Sequence, residues 1–381
     1  MEGTMTKVSI VGVAQTRFEE RIASLAINEL VYMVVRELLH KTGVSMKEIR
    51  SIVTASQDAW DGRTISGMTI NEVVGGYLNA EAKVAADGLQ ALLYGAARIM
   101  SGEYTLTLVV AHCKESEGTP HAITNLMFDP FTQRHLGLDD VTAAALQARR
   151  YMRLRGLAAE DIAAVAVKNH RHAKKNPFAQ RAGDFTITDV LNSPILADPI
   201  HELEAAPQSD GACALLLASE SKARTVTDHP VFIIGMGNAT DAYWTDRELG
   251  EAKALRQAAS RAYRMAGIEY PAHEIDVAEI SARYAYEELM AMEALGLSEA
   301  PQDMLARGDC EIGGRLPINP SGGPLCGNPV TVSGLVRVVE AYLQLTDQAG
   351  EHQVHGAQTA LAHGAGGICG QNQSVVILRR E

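Results

Sequence analysis

Asn319-Pro-Ser-Gly-Gly-Pro-Leu-Cys-Gly-Asn-Pro-Val-Thr-Val-Ser-Gly334 sets the reading of the whole chain. Its glycines and prolines interrupt any regular element as far as Pro329. Gly322 and Gly323 let the backbone turn tightly and approach closely whatever it faces. From Thr331 to Thr346 the residues are then apolar nearly all round, which marks a buried helix. A second stretch of that kind, Ala86 to Gly102, begins within Val84-Ala-Ala-Asp-Gly-Leu-Gln-Ala91. Two buried helices need sheet on either side of them.

Working outward, the flanking segments repeat. Lys7-Val-Ser-Ile-Val-Gly-Val-Ala-Gln-Thr16 and Pro230-Val-Phe-Ile-Ile-Gly-Met-Gly-Asn-Ala-Thr240 are apolar strands running into glycine-containing turns. Each precedes a helical stretch, Ile22 to Gly43 or Glu248 to Gly267, that ends at a glycine able to take the left-handed cap conformation. Met46 to Ala55 and Ala272 to Ser281 are each a short helix leading into a strand. Leu106-Thr-Leu-Val-Val-Ala111 and Ser374-Val-Val-Ile-Leu378 are the strands that end the halves, and Ser209 to Ala218 adds a last strand to the first half. The duplication predicts an edge strand near Leu106 to Ala111, and hence an oligomer that covers it. Between the halves, Lys114 to about Arg181 carries the loop Phe128-Asp-Pro-Phe131 and a helix from about Val141 to Gly156.

Composition narrows the function classes. The 381 residues are 46% hydrophobic and 5% aromatic, with a net charge of -12. That charge, and a richest basic run no longer than Lys168 to Lys175, argue against nucleic acid as partner. No apolar run approaches the roughly 20 residues of a membrane span, and the first residues lack the pattern of a signal peptide. Cys113, Cys213, Cys310, Cys326 and Cys369 show no paired spacing, which argues for reduced thiols in the cytoplasm and against a bound metal.

The 319–334 stretch resembles the signature loop of thiolases, which make or break a carbon–carbon bond beside an acyl-CoA thioester. The family pattern is Asn-x-x-Gly-Gly, three residues, then Gly-His-Pro. Ala166 to Pro177, Pro207 to Ala212 and Leu361-Ala-His-Gly-Ala-Gly-Gly367 resemble segments of the sterol-carrier-type branch. The resemblance covers nearly the whole chain. It implies an α/β thiolase fold, with duplicated half-domains in a five-layered α-β-α-β-α stack and an inserted loop domain. The implied units are residues 1–113 with 182–225, the insert 114–181, and residues 226–381.

The same resemblance shows what is missing. Thiolases carry the nucleophile as Cys-x-Ser-Gly at the head of the first buried helix, where unpaired N–H groups lower a thiol's pKa. Here the cysteine's place holds Ala85 and the serine's holds Asp87, so the covalent acyl-enzyme route is closed at Ala85. Asn328 stands where the histidine belongs; its amide donates a hydrogen bond but moves no proton. Ser281 opens the motif Ser281-Ala-Arg-Tyr-Ala-Tyr286, in which Arg283 and Tyr284 depart from the family. His363 survives where many relatives have a second cysteine, in a glycine-rich setting that includes Gly366 and Gly367. Cys326, two residues before Asn328, is the candidate for a displaced nucleophile. The candidate catalytic residues are therefore His363, Asn328, Ser281 and Cys326, with Gly322, Gly323, Gly366 and Gly367 as oxyanion or loop positions.

Three functions stay open. The first is a thiolase-like subunit of an acyl-CoA-processing complex, cleaving a β-ketoacyl-CoA only through an active thiolase partner. The second is a lyase performing retro-aldol cleavage of a β-hydroxyacyl-CoA, as some thiolase-like steroid side-chain aldolases do without the cysteine. The third is a thiolase using Cys326. The resemblance implies a coenzyme A thioester as substrate or ligand, with no covalent cofactor. It also implies a homodimer or a heterodimer with another thiolase subunit, and a small zinc-ribbon/OB-fold protein as partner.

Overall fold

The computed structural model describes residues 6–381. Among the described residues there are eleven strands: β1 (Val8–Gln15), β2 (Ser51–Ala55), β3 (Ala80–Val84), β4 (Leu106–Lys114), β5 (Ile195–Ala197), β6 (Ile200–His201), β7 (Asp210–Ser219), β8 (Val231–Thr240), β9 (Val277–Ile280), β10 (Thr359–Gly366) and β11 (Asn372–Arg380). Nine of them form one sheet in the order β3-β2-β4-β7-β1-β8-β11-β10-β9. The duplication lies in that order. Outward from the centre, β1, β7, β4 and β2 pair antiparallel, antiparallel and parallel, and β8, β11, β10 and β9 repeat the series. The halves join where Val8, Ser9 and Ile10 of β1 pair antiparallel with Ile233, Phe232 and Val231 of β8.

The expected edge at Leu106–Ala111 is corrected here. β4 is bonded by β2 on one side and β7 on the other, and all nine of its residues are buried. A near-continuous apolar run is what a strand covered on both faces requires. The edge of that half is β3, short, half-buried and carrying Glu81 and Lys83, the charges that blunt a free edge.

Helices cover both faces. Ile27–Thr42 lies on the outer face of the first half and Lys253–Ala266 on that of the second. Their caps, Gly43 at φ 66° and Gly267 at φ 69°, take the left-handed conformation. The inner face belongs to the two apolar helices, Gly88–Met100 and Ser333–Leu345, which share one core with strands of both halves. Between β4 and β7, helices Asp140–Arg155 and Ala159–Ala173 build a separate core with Tyr284, Tyr286, Leu325 and Cys326. No helix among the described residues is long and apolar enough to cross a membrane.

The buried helices meet at one side chain. Asp87 Oδ1 accepts the Leu89 N–H and Oδ2 accepts the Gly334 N–H, each at 2.9 Å. One carboxylate thus caps both helices, and each leaves unpaired N–H groups at its start. The fit needs glycine opposite. A Cβ on Gly334 would lie 1.8 Å from Asp87 Oδ1, and one on Gly364 would lie 2.5 Å from it. Burial pushes the Asp87 carboxyl up to about 7, against the pull of those N–H groups.

Two outcomes follow. Gly-to-Ala inside a helix ordinarily gains stability, but Gly334→Ala is expected to lose about 1–3 kcal/mol through overpacking. Urea unfolding reads it, and an unchanged or raised midpoint contradicts the shared cap. For pH, the folded pKa of about 7 lies above the 3.8 of a free aspartate. The protonated carboxyl's contribution is therefore complete below about pH 4 and lost as pH rises through about 7. Asp87→Asn should flatten that part of the stability profile.

Candidate active site

The signature loop is anchored by buried charge. Asn319, at φ 50°, accepts the Ile280 N–H at Oδ1 (2.6 Å) and donates from Nδ2 to Glu288 (2.7 Å). Glu288 is paired with Lys168 at 2.9 Å, and Lys168 also donates to the Ile318 carbonyl at 2.7 Å. Ser321 donates from N and Oγ to Glu279, which Arg337 neutralises at 2.5 Å. Gly322 and Gly323 turn at φ 93° and 63°, and a Cβ on Gly322 would press to 2.7 Å from Ala173. Each of these side chains has at least one buried partner, so the loop is pre-set when a ligand arrives.

That anchoring presents Asn328 to a cavity of about 410 Å³. Trp60, Glu115, His121, Asp140 and Tyr284 line it as well. Asn328 is buried, its N–H donates to Ser209 Oγ at 3.0 Å, and its amide oxygen has no partner. Glu115 ties the loop down, accepting the Val330 N–H at 2.8 Å and the Ser209 N–H at 3.4 Å. Burial pushes its carboxyl up to about 8, against those two bonds. Opposite in chemistry is a phenol–carboxylate couple. Tyr284 donates to Asp140 Oδ2 at 2.6 Å, and Arg283 pairs with the same carboxylate. Burial raises the Tyr284 phenol far above its ordinary value, so it stays protonated. Tyr284 stacks on Tyr286, whose hydroxyl donates to Gln147 at 2.8 Å.

The other candidates lie elsewhere. His363, on β10, donates from Nε2 to Gln373 Oε1 at 2.6 Å, and its Nδ1 is buried without a partner. Burial lowers the imidazole to about 4, so it is neutral at pH 7. His363 and Ser281 border a second cavity of about 20 Å³ that shares no lining residue with the first. One water needs roughly 10–15 Å³, so that cavity admits no acyl group. Ser281 Oγ lies 3.2 Å from Ser333 Oγ. Cys326 is 1% exposed and packs on the 159–173 helix, its Sγ 3.4 Å from the Asn169 carbonyl oxygen and 3.7 Å from His170 Nδ1. Burial pushes the thiol up to about 12. Ala85 is exposed just beyond β3 and lines neither cavity. Gly366 closes β10, and Gly367 turns at φ 75°.

Sequence reasoning reached Asn328 and marked Arg283 and Tyr284 only as departures from a pattern. It missed Glu115, His121 and Asp140. Asp139-Asp140 opens a helix, and acids there serve the helix dipole; that ordinary role hid the second one.

Comparisons place the chain. The family described as Thiolase C-terminal domain-like matches residues 235–380. An acetyl-CoA acetyltransferase of Methanothermobacter thermautotrophicus is 30% identical over 388 aligned residues, covering 96% of this chain and 98% of that protein. Sterol carrier protein 2 of Oryctolagus cuniculus is 33% identical over 228 residues, 57% of this chain and 41% of its own length. A solved structure described as "Ltp2-ChsH2(DUF35) aldolase" superposes with a TM-score of 0.84 at 23% identity, covering 99% of this chain and 98% of that one.

All five thiols are buried, which sets an outcome for labelling. Iodoacetamide at pH 7.5 should leave the folded chain unmodified while the urea-unfolded chain takes up label. Rapid native labelling confined to Cys326, or an acetyl adduct there after acetyl-CoA, would show a reactive thiol instead.

Proposed function

This chain belongs to the thiolase superfamily, in its sterol-carrier-type branch, and on that premise we propose that it is a lyase that cleaves a β-hydroxyacyl-CoA thioester by a retro-aldol reaction. The observation that carries this is the large cavity. It holds a proton-transfer couple, Tyr284–Asp140, and an amide, Asn328, but no cysteine. A retro-aldol step needs only a base for the β-hydroxyl and a hydrogen-bond donor for the thioester enolate. Tyr284 is too weak an acid to stand as phenolate, so it relays: it takes the substrate's hydroxyl proton as its own passes to Asp140. Arg283 keeps that carboxylate in place. The Cα–Cβ bond breaks, a carbonyl compound leaves, and the enolate oxygen takes the Asn328 amide N–H.

The description of the structural neighbour pairs an aldolase with a DUF35 protein. It supports both the reaction class and a small partner of the zinc-ribbon/OB-fold kind. The β3 edge, with exposed Met68, Tyr77 and Leu78 beside it, supports assembly with a second thiolase-like chain. Five buried thiols fit a reducing compartment, the cytoplasm. The reading as a non-catalytic subunit has its own support: Asp87 fills the helix junction and Ala85 offers no nucleophile.

One experiment separates the two. The chain with its small partner is given a β-hydroxyacyl-CoA and carbonyl release is followed. Removing an oxyanion donor lowers kcat about 100- to 1000-fold, and Asn328→Ala should fall in that range. Tyr284→Phe should lose at least about 100-fold. Cys326→Ala should leave turnover as it was. Unchanged turnover in both of the first two variants, with assembly intact, assigns the chain the architectural role.

A further inference from the structure

The proposed cleavage leaves one proton unassigned. Breaking the Cα–Cβ bond yields a thioester enolate, and its α-carbon must be protonated before acyl-CoA leaves. We infer that His121 supplies that proton and that Asp139 holds it in position; the assignment rests on the lyase reading above.

His121 lies on the short helix Pro120–Asn125 and lines the same cavity as Tyr284 and Asn328. Its Nδ1 is 2.5 Å from Asp139 Oδ2. Asp139 is itself fixed. Its other oxygen accepts the Thr142 N–H at 2.8 Å and the Thr142 hydroxyl at 2.6 Å, which caps the 140–155 helix. Burial alone would raise the Asp139 carboxyl, but the Thr142 bonds and the His121 ring outweigh it and hold it below its ordinary value. Asp139 is therefore an anion at neutral pH. It accepts the Nδ1–H and fixes the ring's orientation, which leaves Nε2 as the ring's proton-transfer atom. The side chain lines the cavity and is 65% exposed, so a ligand can reach it. Asp139 and Asp140 are adjacent, so one helix start aims two acid/base pairs at one cavity: Asp139 with His121, and Asp140 with Tyr284.

The steps balance. Asp140, through Tyr284, receives the hydroxyl proton. The Cα–Cβ electrons move onto the thioester oxygen. The His121 imidazolium gives its Nε2 proton to Cα as the enolate collapses to the thioester. Asp140 then releases a proton to solvent and His121 regains one. In reverse, neutral His121 removes an α-proton from an acyl-CoA.

That reverse step is the test. The purified chain, alone and with its small partner, is incubated with acetyl-CoA in deuterium oxide, and deuterium in the methyl group is read by mass spectrometry. The wild-type chain should catalyse exchange, and His121→Ala should lower its rate at least about 100-fold. Asp139→Asn keeps a competent helix cap and should shift the pH profile of exchange, which a purely structural cap would not do. His135→Ala, a nearby exposed histidine, should change nothing. Wild-type exchange persisting in His121→Ala, with circular dichroism unchanged, overturns the assignment. So does the absence of exchange in the wild type. If exchange depends on His121 yet no β-hydroxyacyl-CoA is cleaved, the proton donor stands and the lyase reading falls.

Discussion

Two buried helices start within reach of a single carboxylate, and much of the site follows from that. The N–H groups of Leu89 and Gly334 both bind Asp87, and no water or second side chain is needed to satisfy them. The space is set by absent side chains, since Gly334 and Gly364 must lack a Cβ for Asp87 to fit. Relatives with a cysteine use the same helix start to stabilise a thiolate and the negative charge that develops beside it. Here that place already holds a carboxyl. The Leu89 and Gly334 N–H groups are thereby occupied, and on the proposed reading the enolate is held elsewhere.

The signature loop supplies that position, and its location does not depend on what it carries at residue 328. Two buried acids, Glu279 and Glu288, hold its start, each neutralised by a buried base, Arg337 or Lys168. A third acid, Glu340, is bridged by His352 at 3.0 Å and by Gln15 at 2.7 Å. Breaking one member of such a pair leaves an uncompensated charge in the interior, typically about 3–5 kcal/mol. Glu115 then ties the loop's far end to Ser209 and Val330. A loop held at so many points keeps Asn328, a hydrogen-bond donor, fixed against the cavity.

The fold was legible because its signals are local. Apolar strands, helices ended by Gly43 and Gly267, and two all-round apolar helices stand in the sequence twice over. β3 and β10 were missed, as were the short β5 and β6: β3 has five residues with two charges and little hydrophobic signal, and the three glycines of Leu361–Gly367 made β10 read as a loop. The site was legible only in part. Asn328 lies inside a motif, whereas Glu115, His121, Asp140 and Tyr284 come from separate segments that only the tertiary fold joins. His363 shows the opposite failure. Its motif is intact, but pairing of β10 with β11 brings Gln373 onto its ring, and burial lowers its basicity to a pKa of about 4.

Ala85, Asn328 and the cavity that Asn328 lines fit a single physical account. A thiolase needs a thiolate because a ketone carbonyl must be attacked to break the bond, and the acyl group must be carried between steps. A β-hydroxy thioester needs neither, because loss of the hydroxyl proton already supplies the electrons that expel the enolate. Replacing the cysteine with Ala85 therefore removes nothing that a retro-aldol reaction uses. What that reaction does need is a base displaced from the thioester oxygen by the length of the Cα–Cβ bond and its substituents. On the proposed reading the start of the 140–155 helix provides it, setting Asp140 against Tyr284 in the cavity that Asn328 also lines. On this account the signature loop holds the enolate through Asn328, and proton transfer is shared between Asp140 of the insert and Tyr284 of the second half. The acyl group accepted is then governed by residues of the insert, where loops vary most readily without disturbing the sheet.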